Sequence, residues 1–290
     1  MQGIKVQWPH ANLYGIGGPR MQSHGFNALW PSDKLAVRGY VEVLRHYREI
    51  VGIRNQLKTQ LLAKPPHVFV GVDAPDFNLD LERDLKQAGI PTVHFVCPSI
   101  WAWRADRIEK IKQSVDHVLC IFPFEVDLLH AHGIDATYVG HPLAQVIPMH
   151  PDTLKARHDL NLDPDRPVVA LLPGSRESEI TYLAERFFQT ANLLFQQQPN
   201  LQFVLPAMPA MKGRIENIRN QVGASHVQIL SGQSHAALAA CDVTLIASGT
   251  ATLEAALFKK PMVIAYNMNW ISWQMMKRKK LQPWVGLPNI

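Results

Sequence analysis

The stretch Val243-Thr244-Leu245-Ile246-Ala247-Ser248-Gly249-Thr250-Ala251-Thr252-Leu253-Glu254-Ala255-Ala256-Leu257 decides the fold. An apolar run suited to a buried strand passes through a turn of small residues into a helix-forming segment, whose first turns carry hydroxyls and a carboxylate. Strand, short turn and helix in that order are the unit from which a helix-covered parallel sheet is assembled. The first turn of such a helix presents unpaired N–H groups and the positive end of the helix dipole. Ser248, Gly249 and Thr250 are therefore expected to hold a phosphate. Glu254 stands about one helical turn further in, within reach of a ribose or sugar hydroxyl.

The same alternation extends outward from this stretch. Val168–Leu172 ends in Pro173-Gly174-Ser175-Arg176, Phe203–Leu205 in Pro206, Val227–Leu230 in Ser231-Gly232, and Pro261–Tyr266 is the last strand. Toward the amino terminus, Asn12–Ile16 ends at Gly17-Gly18-Pro19 and His67–Val72 at Asp73-Ala74-Pro75-Asp76. Thr92–Val96 stops before Pro98, His117–Ile121 before Pro123, and Thr137–Gly140 before His141-Pro142. Leu79–Ala88 has helical periodicity closed by Gly89. Ile147-Pro148-Met149-His150-Pro151 interrupts the alternation and reads as a link. The expected architecture is α/β, with two Rossmann-like doubly wound domains over residues 1–147 and 148–290. Ligands are expected at the carboxyl ends of the strands, in a cleft between the domains.

Composition narrows the classes. The 290 residues are 47% hydrophobic and 18% charged, which suits a cored globular chain rather than a disordered one. A net charge of +5 favours an anionic partner, yet the longest basic run is Lys277-Arg278-Lys279-Lys280, so no nucleic-acid stripe is evident. Cys97, Cys120 and Cys241 lack zinc or redox spacing and read as buried reduced thiols of a cytoplasmic protein. No leader and no apolar run of about 18 residues is present, so the chain is expected to rest on a membrane at most.

Several loops carry chemistry. In Gly174-Ser175-Arg176 the glycine lets backbone approach an anion, the serine offers a hydroxyl and the arginine a planar donor fork. Alone this is also an ordinary strand-to-helix turn with a solvated arginine; beside the Ser248 turn it reads as half of a diphosphate site. Asp73, directly after a strand, is a candidate general base, whereas Asp76 caps a helix beginning near Leu79 or joins Asn78 in binding an acceptor. Trp101, Trp103 and Arg104 wall an acceptor or pack a domain edge. His141 faces the expected cleft, although a lone histidine is more often structural. Asp163-Pro164-Asp165 has acid-x-acid spacing but lies at the wrong strand end and reads as a turn, so no metal and no cofactor are expected. The segment Val41–Leu62 is amphipathic, with Arg45, Arg48, Arg54 and Lys58 between its apolar positions. It is a core helix with a solvated basic face, or a surface for anionic lipid; Trp270, Trp273, Met275, Met276 and the basic run after them form a second such surface.

Gly17-Gly18-Pro19-Arg20-Met21, Asp73–Asn78, Pro98–Arg104, Leu172–Arg176, Ser248–Glu254 and Leu287-Pro288-Asn289 occur in this order. Together they resemble the lipid-A-disaccharide synthases, bacterial glycosyltransferases of the two-Rossmann-domain GT-B type. The resemblance runs through essentially the whole chain. It implies inverting transfer from UDP-2,3-diacylglucosamine to 2,3-diacylglucosamine 1-phosphate (lipid X), giving a β-1,6-linked disaccharide 1-phosphate and UDP at the inner face of the cytoplasmic membrane. It implies Asp73 as base, Arg176 at the leaving diphosphate, the Ser248 turn on phosphate, Glu254 on ribose and Asn289 closing the site. A peripheral association with the anionic membrane surface and a homodimer are implied as well. Other UDP-sugar enzymes of the same type, N-acetylglucosamine transferases and 2-epimerases, are the alternative within the fold, and an inactive nucleotide-binding remnant is the alternative outside catalysis. Family members begin with a strand and a Gly-Glu-x-Ser-Gly-Asp loop ahead of the helix at which this chain opens, and they continue through helices beyond Leu-Pro-Asn. The expectation is a chain truncated at both ends, with exposed sheet edges and poor solubility.

Overall fold

Proline, glycine and short polar residues break the chain into strands and helices, and the described strands assemble into three parallel sheets. The structure is a computed structural model and describes residues 1–31, 40–101, 105–267, 274 and 286–289. It divides into two units: Met1–Pro98 with Asp106–Val139, and Ser99–Ala105 with Gly140–Ile290.

Unit one holds β1 (Tyr14–Ile16) and β2 (Asn27–Trp30) as a parallel pair, and a second parallel sheet in the order β3 (Phe69–Val72), β4 (Thr92–Phe95), β5 (His117–Cys120), β6 (Ala136–Tyr138). Its helices are α1 (Gln2–Gln7), α2 (Pro19–Gln22), α3 (Tyr40–Ala63), α4 (Pro75–Gln87), α5 (Ile108–Ser114) and α6 (Phe124–His130). Strand β2 is absent from the sequence reading: its four residues, Asn-Ala-Leu-Trp, are too few and too mixed to show a period. Alternation along β3 turns Phe69 and Gly71 one way and Val70 and Val72 the other, where the two valines are 47% and 52% exposed. Among the described strands β3 is an edge of its sheet, with these valines on its exposed face.

Helix α3 was expected to bury an apolar stripe, and Leu57 and Leu61 do so against Leu81, Leu85 and Ile90. Each such leucine contributes about 1.5–3 kcal/mol on burial. Along the same seam Arg54 pairs with Asp80 at 3.0 Å and Lys58 with Asp84 at 3.1 Å. Half-exposed pairs of this kind contribute roughly 0–1 kcal/mol each, so the leucines hold the helices together and the charges set their register. Of the four basic residues read on the solvated face of α3, Arg54 and Lys58 thus pair with α4. Tyr47 and Arg48 stay exposed, and the side chain of Arg45 lies outside the described residues.

Unit two contains a five-stranded parallel sheet in the order β11-β10-β7-β8-β9, where β7 is Val168–Leu172, β8 Gln202–Ala207, β9 Val227–Ser231, β10 Val243–Ala247 and β11 Met262–Ala265. Its helices are α7 (Leu143–Val146), α8 (Thr153–Asp159), α9 (Glu177–Gln197), α10 (Lys212–Val222), α11 (Ser234–Ala240) and α12 (Thr250–Leu257). Every residue of β7 is buried, as a central strand covered on both faces requires. Val168, Ala170 and Leu172 enter one core with α8, α11 and α12, while Val169 and Leu171 enter the other with α9 and α10. The segment read as a link belongs to this unit: Ile147 is buried in the first of these cores. At the amino end of the sheet the buried Arg157 binds the carbonyl of Ala240 at 3.0 Å and Asp242 at 2.7 Å, and Asp242 also accepts the N–H of Val168 at 2.7 Å. Asp163-Pro164-Asp165 is a turn, as expected, with Asp165 N–H donating to the Asp163 carboxylate at 2.9 Å. The three cysteines are buried and reduced. Among the described residues no helix is long and apolar enough to cross a membrane.

Candidate active site

In unit two the strand order reverses between β7 and β10, which pair directly with Leu172 opposite Ile246. Beyond the carboxyl ends of two strands at such a reversal, an open α/β sheet leaves the crevice in which ligands bind. The loops leaving these two strands are Pro173–Arg176 and Ser248-Gly249, so fold topology brings together the two loops singled out from sequence.

The first loop is organised by Glu179. Its Oε2 accepts the N–H groups of Ser175 at 2.9 Å and Arg176 at 3.1 Å, and its Oε1 lies 3.1 Å from the Arg176 guanidinium. Gly174 has φ +114°, and a Cβ there would lie 2.6 Å from Cβ of Glu179, so only glycine suits the position. The carboxylate thus occupies the N–H donors expected to meet a phosphate and closes a capping box at the start of α9. Burial, then the charge of Glu179, raises the pKa of Tyr266 at the end of β11, with Arg176 opposing. That places a phenol beside the loop which sequence reasoning missed.

In the second loop Gly249 has φ +153° and precedes α12, the N–H of Ser248 donates to Ala265 O at 3.0 Å, and the buried Thr252 hydroxyl donates to Gly249 O at 2.8 Å. Thr250 is exposed at the first position of the helix. Glu254 lies a turn later, its Oε2 3.8 Å from Nε2 of His235. His235 heads α11, packs edge-on to Phe258 at 5.4 Å, and was also missed; the small-residue turn Ser231-Gly232 ahead of it was the available signal. Leu287–Asn289 forms a single 3-10 turn against α12, and Gly286 beneath it lies against Ile264 and Asn289. Asn289 therefore belongs to the same unit as both loops.

In unit one Asp73 is exposed just past β3, and Asp73 and Ala74 have φ +49° and +45°. Two left-handed residues in succession cost on the order of 1–3 kcal/mol each, and such strain collects where a side chain must be aimed. Asp73 N–H donates to Phe95 O at 2.9 Å, and the Asn78 amide donates to Asp73 O at 2.7 Å. Asn78 is buried, so the structure uses it to brace the Asp73 turn. Helix α4 begins at Pro75 rather than near Leu79, which corrects the capping role given to Asp76: Asp76 lies inside the first turn, makes no cap, and pairs with Arg107. His141 accepts the N–H of Leu143 at 3.1 Å on Nδ1, and burial lowers its pKa. Trp101 is half-buried in the Ser99–Ala105 segment that belongs to unit two. Trp103, Arg104, Trp270, Trp273, Met275, Met276 and Lys277–Lys280 lie outside the described residues.

Comparison with known proteins resolves which enzyme this scaffold serves. A family model described as lipid-A-disaccharide synthetase matches residues 1–290. The chain belongs to the lipid-A-disaccharide synthase family. The lipid-A-disaccharide synthase of Albidiferax ferrireducens is 65% identical over 100% of this chain and 75% of its own length. That of Verminephrobacter eiseniae is 59% identical over 99% of this chain and 75% of its own length. Among solved structures, the S. aureus MnaA–UDP complex has a TM-score of 0.60 at 12% identity, covering 89% of this chain and 80% of that one. The UDP-GlcNAc 2-epimerase of Neisseria meningitidis, bound to UDP-GlcNAc, has a TM-score of 0.57 at 12% identity, covering 89% and 82%. At that identity the likeness is one of fold, the GT-B class of glycosyltransferases and epimerases. The sequence relatives decide within that class: this member of the lipid-A-disaccharide synthase family is a glycosyltransferase of lipid A biosynthesis.

Proposed function

We propose that the chain transfers the sugar of UDP-2,3-diacylglucosamine to the 6-hydroxyl of 2,3-diacylglucosamine 1-phosphate, with inversion. The observation that carries this reading is the pairing of the Gly174-Ser175-Arg176 and Ser248-Gly249-Thr250 loops at the reversal of the unit-two sheet. Residues 1–147 take the lipid acceptor and residues 148–290 take the nucleotide sugar. The diphosphate displaces Glu179 from the N–H groups of Ser175 and Arg176 and recruits the Arg176 guanidinium, while Glu254 takes the ribose hydroxyls and Asn289 closes the pocket. Asp73 removes the proton of the acceptor hydroxyl as its oxygen bonds to the anomeric carbon. The bond from that carbon to the diphosphate breaks, and Arg176 compensates the charge that develops on departing UDP. Asp76, Trp101, Trp103, Arg104 and His141 contact the acceptor, and Asn78 keeps Asp73 aimed.

The acceptor is a lipid, so the enzyme works as a peripheral protein on the anionic inner face of the cytoplasmic membrane, through Tyr47, Arg48 and the Trp270–Lys280 segment. Incubation of this chain with UDP-2,3-diacylglucosamine and radiolabelled lipid X is expected to yield labelled disaccharide 1-phosphate; donor hydrolysis without disaccharide would refute the transfer. Sedimentation with phosphatidylglycerol vesicles is expected to weaken as salt rises. Binding that ignores salt would refute the electrostatic part of the docking.

A further inference from the structure

Unit one buries a polar pair that the reaction does not use. Glu82 on α4 and His94 on β4 are both fully buried, and Nδ1 of His94 lies 2.8 and 3.1 Å from the two carboxylate oxygens. At these distances the carboxylate and Nδ1 share a hydrogen bond. Nε2 of the same ring is buried with no hydrogen-bond partner among the described residues, which leaves Glu82 as the polar anchor of the ring. For stability alone this is a poor bargain: desolvation offsets much of the attraction in a buried pair, and apolar residues of similar volume often serve as well. The position of the pair supplies another reason for it.

His94 is the register partner of Gly71 on β3. A Cβ on Gly71 would strike the Glu82 carboxylate and come within 3.2 Å of Cβ of Asn78, so the glycine exists to let both side chains of α4 reach the sheet. Asn78 and Glu82 lie one helical turn apart on that face. Asn78 holds the carbonyl of Asp73 at 2.7 Å, and Phe95, the residue after His94, accepts the N–H of Asp73 at 2.9 Å. The left-handed Asp73-Ala74 turn is therefore gripped from two sides, once by α4 and once by β4. The Glu82–His94 bond ties those same two elements together next to both grips.

We propose that Glu82 and His94 are positioning residues for Asp73: the buried pair fixes α4 on β4, and that spacing aims the Asp73 carboxylate. The proposal rests on the reading of Asp73 as the general base, and the test separates the two. In Glu82→Ala, hydrogen–deuterium exchange over residues 72–78 is expected to rise about tenfold, with β7 unchanged. Its kcat is expected to fall on the order of 10²-fold while KM for the nucleotide sugar holds. The double variant Asp73→Asn/Glu82→Ala is expected to be no slower than Asp73→Asn, because a residue acting through Asp73 has nothing left to lose. Glu82→Gln, whose amide can both donate to and accept from Nδ1, is expected to recover most of both readouts. Unchanged exchange over residues 72–78, or kinetic losses that multiply in the double variant, would overturn the proposal. Full turnover in Asp73→Asn would instead sink the reading of the base, while the exchange result still decides the pair. Should Glu82→Ala fail to fold, His94→Gln loosens the same contact and is judged by the same exchange.

Discussion

The two units use one folding grammar and spend it differently. Unit two wraps a five-stranded sheet on both faces, and the central strand β7 feeds two apolar cores with alternate residues. Its buried polar side chains, Arg157, Thr244 and Thr252, all bind backbone carbonyls, so they fasten the chain to itself. Unit one leaves Val70 and Val72 half in solvent, yet buries Asn78, Glu82, Thr92, His94 and Glu125. Burying those groups costs free energy that apolar side chains would not. The contrast teaches that polar burial is placed unevenly: unit two is built from apolar area, whereas in unit one buried Asn78 holds the strained Asp73 turn, and Thr92 and Glu125 fasten the loops at Ser114 and Phe122.

The sharpest way to break this comparison is to remove the charge at the aimed residue. Asp73→Asn is expected to lower kcat by about 10²–10⁴-fold with UDP affinity unchanged by calorimetry; retained turnover would remove the reason for the polar burial in unit one. The next largest effect falls on stability. Phe203→Ala, fully buried in unit two, is expected to cost about 3–5 kcal/mol in urea unfolding. Val70→Ala on the exposed face of β3 is expected to stay within about 1 kcal/mol, and equal costs would deny that the apolar weight lies in unit two. Arg176→Ala is expected to weaken UDP binding by about tenfold, a modest figure because the guanidinium is exposed, and to leave unit-one exchange rates alone.

The smallest effect is on acid response. Burial works to raise the pKa of Asp80 and Asp84, but the Lys110 hydrogen bond and charge at Asp80, with Arg54 and Arg83, and Lys58 with Arg83 at Asp84, outweigh it and lower both. Asp116 is lowered in the same way, burial being outweighed by the Thr92 N–H and Lys86. Depressed carboxylates contribute in full above their unfolded value of about 3.9 and lose that contribution as pH falls through the folded values. All three belong to unit one, so exchange in unit one is expected to accelerate before that in unit two as pH drops below about 4. Simultaneous loosening would show that the α3–α4 charges add nothing particular to unit one.

Much of this was legible in the residues. The strand ends at Val72, Leu172 and Ala247, Gly89 closing α4 and the Asp163 turn follow from short-range rules of sterics and hydrogen bonding, so a linear string reveals them. Strand β2 was not legible, being too short for a period to emerge. The start of α4 was misread because Pro75 looked like a stop, whereas proline at the first position of a helix costs no hydrogen bond. The Glu82–His94 pair left one trace, Gly71 inside an otherwise apolar strand, which marks close approach without naming what approaches.

By itself the sequence determined the α/β class, the loops that end each strand and, through its ordered motifs, the enzyme family. Only the tertiary structure decided that Leu172 and Ile246 are neighbours, that Arg54 and Lys58 serve α4, and that Glu82 meets His94. The reason is range. Backbone preference and periodicity act between residues a few positions apart, whereas strand order and buried polar pairing join distant residues and exist only once the sheet has chosen its neighbours.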